Sequence, residues 1–197
     1  MSRNLMTTYR LLNNIFEYHE AFIEFKQFRR QFDGVKVWFN QKNESLIDKL
    51  QGDWIPIDIQ FSSDLKNNNI PDISIWNLSC LILSEKAKKV LAPELKNIGE
   101  FLPLQNGFYI YNCLSAVDAS AIDQTRSRFE SNHSDSAHIP KELHLLSEKI
   151  SDKFLFKPAF AHHSFLICSD EFKKRVELHN LSGILFEPDL AKIFPTR

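Results

Sequence analysis

Two aspartates have the best spacing for acid–base chemistry in this sequence. Asp118 and Asp123 flank residues 119–122 and follow directly on a long apolar run. Two carboxylates that meet at the end of a strand can act as a general acid and a general base. An aspartate in such a place more commonly caps the start of a helix. We therefore interpret the pair as caps and keep a small enzyme that uses both carboxylates as an alternative.

Histidines and cysteines are the other candidates for chemistry. His162 and His163 precede Cys168, but adjacent residues on a strand point to opposite faces, so the two histidines cannot easily face one metal ion. The sequence contains no CxxC, HExxH or GxSxG motif. Cys80, Cys113 and Cys168 all lie in apolar runs and are expected to be buried, reduced thiols. We predict no catalytic residue and no metal site.

Glycine spacing excludes the loops that cradle phosphates. The chain has 5 glycines, and the closest pair, Gly99 and Gly107, is separated by eight positions. A dinucleotide-binding fingerprint needs three glycines within about six residues, because the backbone must turn tightly against the pyrophosphate. A P-loop needs two glycines about five apart, followed by lysine. Neither spacing occurs, so we predict no nucleotide cofactor.

Charge is balanced, with 24 lysines and arginines against 25 acidic residues and a net charge of −1. The basic clusters are interleaved with acidic residues, which excludes a dedicated nucleic-acid binder held by phosphate charge. The longest uncharged stretch, residues 101–117, is too short to span a bilayer, and the first residues lack the apolar run of a signal peptide. We expect a cytoplasmic protein without a nucleic-acid or membrane partner; its oligomeric state is left open.

One pattern occurs twice in the second half of the chain and predicts where its helices and turns lie. In residues 81–103 and again in residues 166–188, a strand is followed by a serine, a helix, a glycine, a second strand and a proline. Each serine can cap the first helical turn, and each glycine stands where the chain would leave the helix and turn back. The corresponding residues are Ser84 and Ser169, Gly99 and Gly183, and Pro103 and Pro188. An internal repeat and a shared capping pattern both explain this.

The first part of the chain predicts short strands, including one at residues 35–39, together with an amphipathic helix and a short helical turn at residues 45–50. Residues 7–12 are short and apolar, and residues 54–61 alternate with a period of two, so both predict strands. Residues 15–32 carry phenylalanines near helical spacing and predict an amphipathic helix.

Together these elements predict an α+β fold with a mostly antiparallel sheet and a few amphipathic helices. The length of 197 residues is typical of one domain. We expect a single domain over residues 1–197, in which residues 1–69 form an N-terminal extension or subdomain and residues 70–190 form the core.

The motifs of the second half follow one another in a characteristic order. They are Pro71-Asp72-Ile73, Leu83-Ser84-Glu85-Lys86, Phe101-Leu102-Pro103-Leu104, Phe108–Leu114, Phe165–Lys173 and Leu181–Pro188. This succession resembles the immunity-protein-eleven family of bacterial polymorphic toxin systems, formerly a domain of unknown function. The resemblance covers residues 70–190, with a weaker match at Thr8-Tyr9. The segment Leu181-Ser182-Gly183 is one residue shorter than the terminal motif of the family.

The resemblance implies a cytoplasmic immunity protein that is not an enzyme. Such a protein binds a cognate secreted antibacterial toxin and neutralises it by occluding the toxin's active site. The family carries no functional residues onto this sequence. A structural or regulatory binding protein unrelated to toxins is a second alternative.

Binding interfaces concentrate their energy in a few aromatic and arginine anchors inside a charged rim. On that basis we predict a partner-binding surface of seven residues. These are Arg29, Arg30, Trp38, Trp54, Arg126, Arg128 and Phe129.

Overall fold

The computed structural model describes residues 7–24, 54–62, 68–77, 79–129, 140–161 and 164–196. The elements up to the first helix are β1 (Thr8–Asn13), β2 (Ala21–Phe22), β3 (Gln60–Phe61), β4 (Ile73–Trp76), β5 (Cys80–Ser84) and α1 (Glu85–Leu95). Next are β6 (Gly99–Pro103), β7 (Phe108–Cys113), β8 (Ala116–Val117), β9 (Arg128–Phe129), β10 (Pro140–Glu142) and α2 (Ser147–Ile150). The last are β11 (Leu155–Pro158), β12 (Ile167–Ser169), α3 (Asp170–Leu178) and β13 (Ile184–Glu187). No described helix has the length and apolar character that crossing a bilayer requires.

Two sheets organise most of these strands. A four-stranded sheet has the order β4-β5-β7-β6 and is antiparallel throughout. A five-stranded sheet has the order β13-β1-β12-β11-β8, in which only the β11–β8 pair is parallel. Two further pairs, β2–β3 and β9–β10, are antiparallel. The predicted α+β fold with mostly antiparallel sheets is confirmed.

Both predicted strand–helix–strand units are present. In the first unit β5 leads into α1, and α1 returns to β6; in the second unit β12, α3 and β13 follow the same path. Each helix begins where the sequence predicts. Ser84 Oγ accepts a hydrogen bond from the N–H of Ala87 at 3.1 Å, and Ser169 Oγ accepts one from the N–H of Phe172 at 3.3 Å. These bonds satisfy N–H groups that have no partner inside the helix.

The glycines of the two units differ from each other, and the prediction for Gly99 is corrected. Gly99 is already the first residue of β6, and a Cβ there would collide with the hydroxyl of Tyr111 and the carbonyl of Asn112. Gly183 has φ of +107°, and its missing Cβ leaves room for the carbonyl of Ile73. Glycine is therefore required for close packing at Gly99 and for both backbone conformation and packing at Gly183.

The two units pack together around one central apolar cluster. Strand β5 supplies Leu81 and Leu83, helix α1 supplies Leu91, and helix α3 supplies Phe172 and Val176. Because successive side chains of a strand point to opposite faces, the other faces of the two sheets carry their own clusters. One of these joins β5, β6 and β7 to residues 21–23 and 57–59, and the other joins β11 and β12 to residues 117–122 and 143–150. Each sheet is thus buried on both faces.

The predicted helix over residues 15–32 is wrong over residues 15–24. Residues 15–17 form a turn, in which the N–H of Tyr18 donates to Asn14 O at 3.1 Å, and β2 then pairs with β3. Ala21 and Ile23 are buried and Phe22 is exposed, which is the period of a strand rather than a helix. Residues 25–32, like the predicted strand at residues 35–39 and the predicted helical turn at residues 45–50, lie outside the described residues. The domain division at residues 69 and 70 stays a prediction, although β1 is part of the five-stranded sheet.

A buried polar chain connects the two sheets. Lys157 is fully buried on β11, and its Nζ donates to Asn112 Oδ1 on β7 at 3.1 Å. Asn112 Nδ2 in turn donates to the carboxylate of Glu100 on β6 at 2.9 Å. A buried charge is costly unless it is hydrogen-bonded, so this chain of contacts fixes how β7 and β11 meet.

Candidate interaction surface

Asp118 and Asp123 both act as local caps. Asp118 Oδ1 accepts a hydrogen bond from the N–H of Ser120 at 2.7 Å, at the start of the 3₁₀ turn Ala119–Ala121. Asp123 Oδ1 accepts from the N–H of Thr125 at 3.0 Å and from its hydroxyl at 2.7 Å. Hydrogen bonds from Ser120 and Thr125 lower the pKa of Asp118 and Asp123 respectively. Both carboxyl groups are therefore ionised at neutral pH, and neither is prepared to donate a proton.

The thiols are buried as predicted. Cys80, Cys113 and Cys168 are free and buried. Burial raises the pKa of Cys113 to about 11 and raises the pKa of the other two thiols as well. A buried thiol with a raised pKa is a poor nucleophile. Among the described residues no group of three or more His, Cys, Asp or Glu could hold a metal ion; His162 and His163 lie outside those residues.

Three of the predicted contact residues lie together near the β9–β10 hairpin. Arg126 and Arg128 are exposed. Phe129 is half-buried against the apolar cluster that joins β11 and β12 to residues 117–122 and 143–150. Trp54 lies elsewhere and packs against the apolar cluster that joins β5, β6 and β7 to residues 21–23 and 57–59. Its Nε1 donates a hydrogen bond to Pro103 O at 2.7 Å.

The other three predicted residues, Arg29, Arg30 and Trp38, lie outside the described residues. A role in partner binding therefore stays a prediction for all seven.

A cavity of about 570 Å³ opens beside this hairpin. Arg126 and residues 142–145 form one side, and the ends of β1 and β13 form the other. A hydrogen-bonded turn positions Arg126, because its N–H donates to Asp123 O at 3.2 Å. Ser127 fixes the same side of the cavity: its hydroxyl donates to His144 O at 3.1 Å and accepts from the N–H of His144 at 2.9 Å.

Two acidic residues on the cavity wall are held by partners of their own. Glu142 and Arg128 form a two-bonded ion pair, with Arg128 Nε 2.9 Å from Glu142 Oε2. The hydrogen bond from Arg128 lowers the pKa of the Glu142 carboxyl. Asp189 Oδ1 accepts from the N–H of Ala191 at 3.0 Å. Arg128 therefore offsets the charge of Glu142, while the backbone N–H satisfies one acceptor of Asp189.

Arg10 supports the far wall from behind. Its guanidinium is buried, donates from Nη1 to Leu190 O at 3.2 Å and lies 4.0 Å from the ring centre of Phe165. Burial lowers the pKa of Arg10 to about 10, against the opposing effect of the Asp189 carboxylate. Arg10 therefore keeps its charge at neutral pH and holds the segment at Leu190 in place.

Sequence reasoning missed the residues that complete this cavity with Arg126. His144 and Asp189 have no motif around them, and Arg10 belongs to a strand that the sequence predicts only as apolar. Their proximity arises from contacts between distant parts of the chain, such as that between Arg10 and Leu190. A pattern in neighbouring residues could not have indicated it.

Comparison with known proteins points to one family. No curated protein matches the chain. Residues 99–189 match the model of the Immunity protein family (Imm11). The match begins at β6 and includes the cavity wall from Arg126 to Asp189 and the whole second strand–helix–strand unit. Residues 99–189 therefore carry the sequence features of the Immunity protein family (Imm11), which is the resemblance that the motifs predict.

Proposed function

We propose that this chain is a cytoplasmic immunity protein that binds a cognate secreted antibacterial toxin and blocks it by covering the toxin's active site. The observation that carries the proposal is the family match over residues 99–189. In this proposal the chain acts by binding alone and transforms no substrate.

The described framework supports a role in binding. Occlusion requires a surface that keeps its shape, because ordering a flexible surface on binding costs affinity. Three apolar clusters bury both faces of each sheet, and the Lys157–Asn112–Glu100 chain joins the sheets. The groups suited to chemistry have structural roles instead: the aspartates cap turns and the thiols are buried.

The contact surface that we propose is centred on the β9–β10 hairpin. Arg126, Arg128 and Phe129 lie there together, combining exposed positive charge with an aromatic side chain. Arginine and aromatic residues are enriched among the anchors of protein interfaces. Trp54 and the residues Arg29, Arg30 and Trp38 are proposed as further contacts from their types alone.

Stoichiometry tests the proposal. A candidate toxin, sought as a secreted protein encoded next to this gene, would be purified and its activity measured against increasing amounts of the chain. Neutralisation by occlusion should reach completion at one chain per toxin. Protection at molar ratios far below one would instead indicate turnover and contradict the proposal.

An enzyme that uses the two aspartates would reveal itself in the same assay. The double variant Asp118→Asn, Asp123→Asn keeps side chains that can cap a turn. Occlusion predicts unchanged neutralisation by this variant, whereas catalysis by the pair predicts its loss.

A further inference from the structure

We propose that the cavity beside the β9–β10 hairpin receives an acidic side chain of the toxin, with Arg126 as the counter-charge. This inference rests on the proposed function and names the chemistry of one contact within it. The cavity volume of about 570 Å³ is that of a small-molecule pocket, so the acidic side chain would enter together with the part of the toxin surface that carries it.

Charge is the first reason for an acidic guest. The guanidinium of Arg126 is exposed on the wall and makes no ion pair or hydrogen bond with a described residue. The neighbouring acids already have partners: Glu142 binds Arg128, and Asp189 accepts from a backbone N–H with the Arg10 charge behind it. Asp123 feels the charge of Arg126, but its Oδ1 is taken up by Thr125.

Hydrogen-bond donors are the second reason. Thr7, Thr8 and Ser147 are among the lining residues, and their hydroxyls make no hydrogen bond with a described side chain or backbone group. A carboxylate is an acceptor with two oxygens, and arginine binds it through two parallel N–H groups. Hydroxyl donors around a free arginine therefore complement a carboxylate better than they complement a lysine or an apolar side chain.

The apolar part of the wall favours an anion that carries an apolar stem, as an acidic side chain does. Leu143, Leu145, Pro188 and Leu190 line the same cavity. The methylene stem of a glutamate or the Cβ of an aspartate can pack against these side chains, whereas free phosphate has nothing to bury there. Since the walls are fixed by Ser127 and Arg10, little order has to be imposed when the guest enters.

The test measures the affinity of the purified chain for the candidate toxin that it neutralises, by calorimetry or surface plasmon resonance. Arg126→Glu should weaken binding by about 30-fold or more, because it places like charges together in a partly enclosed site. Lys89→Glu is the matched control: it makes the same change in net charge at an exposed position on α1, and should change affinity by about threefold or less. Thermal unfolding of both variants would show that they are folded.

Charge reversal identifies the guest. Acidic residues of the toxin would be changed to lysine one at a time, and one such change should restore at least about tenfold of the affinity lost in Arg126→Glu. Equal affinities of Arg126→Glu and Lys89→Glu would overturn the cavity proposal while leaving the immunity function standing. Failure of the unaltered chain to bind the toxin would contradict the proposed function itself.

A free anion is the remaining occupant to be tested. Inorganic phosphate would be titrated into the chain alone. We expect no binding at millimolar concentration. Phosphate binding that is lost in Arg126→Glu, together with toxin binding that is unchanged, would assign the cavity to a small anion and overturn the proposal.

Discussion

The two strand–helix–strand units have the same arrangement in space and obtain their middle strand from different parts of the chain. In the first unit β7 lies between β5 and β6 and follows β6 directly. In the second unit β1 lies between β12 and β13 and comes from the N-terminal part of the chain. Each middle strand is antiparallel to both of its neighbours, so the two strands joined by the helix are parallel in both units.

Register shows that the correspondence extends to single residues. Tyr109 pairs with the residue before the capping serine of the first unit, and Tyr9 pairs with the residue before the capping serine of the second. Lys88 Nζ lies 3.5 Å from the ring centre of Tyr109, and Lys173 Nζ lies 4.4 Å from that of Tyr9. The two lysines occupy the same position of their helices, four residues after the serine. The twofold pattern of the sequence is thus also a repeat in structure.

The two units differ at the residue that precedes each of them, because Asp72, which precedes the first unit, forms polar contacts with the second. In the first unit Asp72 stands before β4, and its carboxylate accepts hydrogen bonds from Ser84 Oγ at 2.9 Å and Lys86 Nζ at 3.2 Å. It also accepts from the N–H and the hydroxyl of Ser182, both at 3.2 Å, across the boundary between the units. Phe154 occupies the corresponding place in the second unit, since Phe154 O and Asp72 O accept equivalent bonds. One unit thus carries the polar link, and the other carries an apolar side chain at the same place.

The largest expected effect comes from the core residue that the first unit lacks. Phe172 is fully buried, whereas the matching helix position of the first unit is Ala87. Phe172→Ala should lower the free energy of unfolding by about 3–5 kcal/mol through the cavity it leaves. Urea denaturation would measure this, with Leu178→Ala, at an exposed site on the same helix, expected to cost about 0.5 kcal/mol. A loss of unfolding free energy below about 1 kcal/mol for Phe172→Ala would be no larger than that of a surface substitution and would contradict the assigned packing.

The link at Asp72 should be next in size and should depend on pH. Burial alone would raise the pKa of Asp72, but hydrogen bonds from Ser84, Lys86 and Ser182 outweigh it and hold the pKa below its usual value. A lowered pKa in the folded state means that the stabilisation is complete above the unfolded pKa of about 4 and is lost as the pH falls through the folded pKa. Asp72→Asn should cost about 1.5 kcal/mol at neutral pH and less at pH 2–3.

The control for this prediction is Asp118→Asn. Asp118 caps an exposed turn, and asparagine caps as well as aspartate does, so the unfolding free energy should change by about 0.5 kcal/mol or less. The same cost for Asp72→Asn at every pH would show that its carboxylate makes no charge-dependent link.

Removing the capping serine should cost the two units different amounts of stability. Ser84→Ala and Ser169→Ala each remove an N-cap, worth about 1 kcal/mol. Ser84 also donates to Asp72 at 2.9 Å, whereas Ser169 donates to Phe154 O at a longer 3.4 Å. We expect the Ser84 variant to lose more stability in chemical denaturation. A greater loss at Ser169 would show that the link to Asp72 contributes nothing.

The smallest expected effect is at the paired lysines. Lys88→Met and Lys173→Met keep a long apolar stem and remove the charge over the tyrosine ring, which should cost about 0.5 kcal/mol each. Because the two pairs belong to separate units, the double variant should show the sum of the single losses. A loss at one lysine and none at the other in thermal unfolding would indicate that only one of the two pairs is formed in solution.

Local signals made parts of this fold predictable. Ser84 and Ser169 act within three residues of their own positions, so the sequence showed both helix starts. The role of Gly99 was predicted incorrectly because it depends on Tyr111, a residue of the neighbouring strand. The spacing of Phe22 to later phenylalanines suggested a helix, but Phe22 adopts a strand conformation because it pairs with Gln60.

The candidate surface was only partly accessible from sequence for the same reason. Residue type alone was enough to select Arg126 and Arg128, since exposed arginines are common anchors. The cavity beside them depends on Arg10 reaching Leu190 from the other end of the chain. The residues around Arg10 in the sequence do not predict this contact, because it joins two segments that only the fold brings together.

The position of β1 has a consequence for how the chain is made. β1 leaves the ribosome before the other described strands, yet its partners β12 and β13 are among the last to emerge. Until then both of its edges are open, and open edges invite pairing with other chains. The five-stranded sheet can close only after β12 and β13 have emerged, so a chain that stopped before β12 would leave both edges of β1 unpaired.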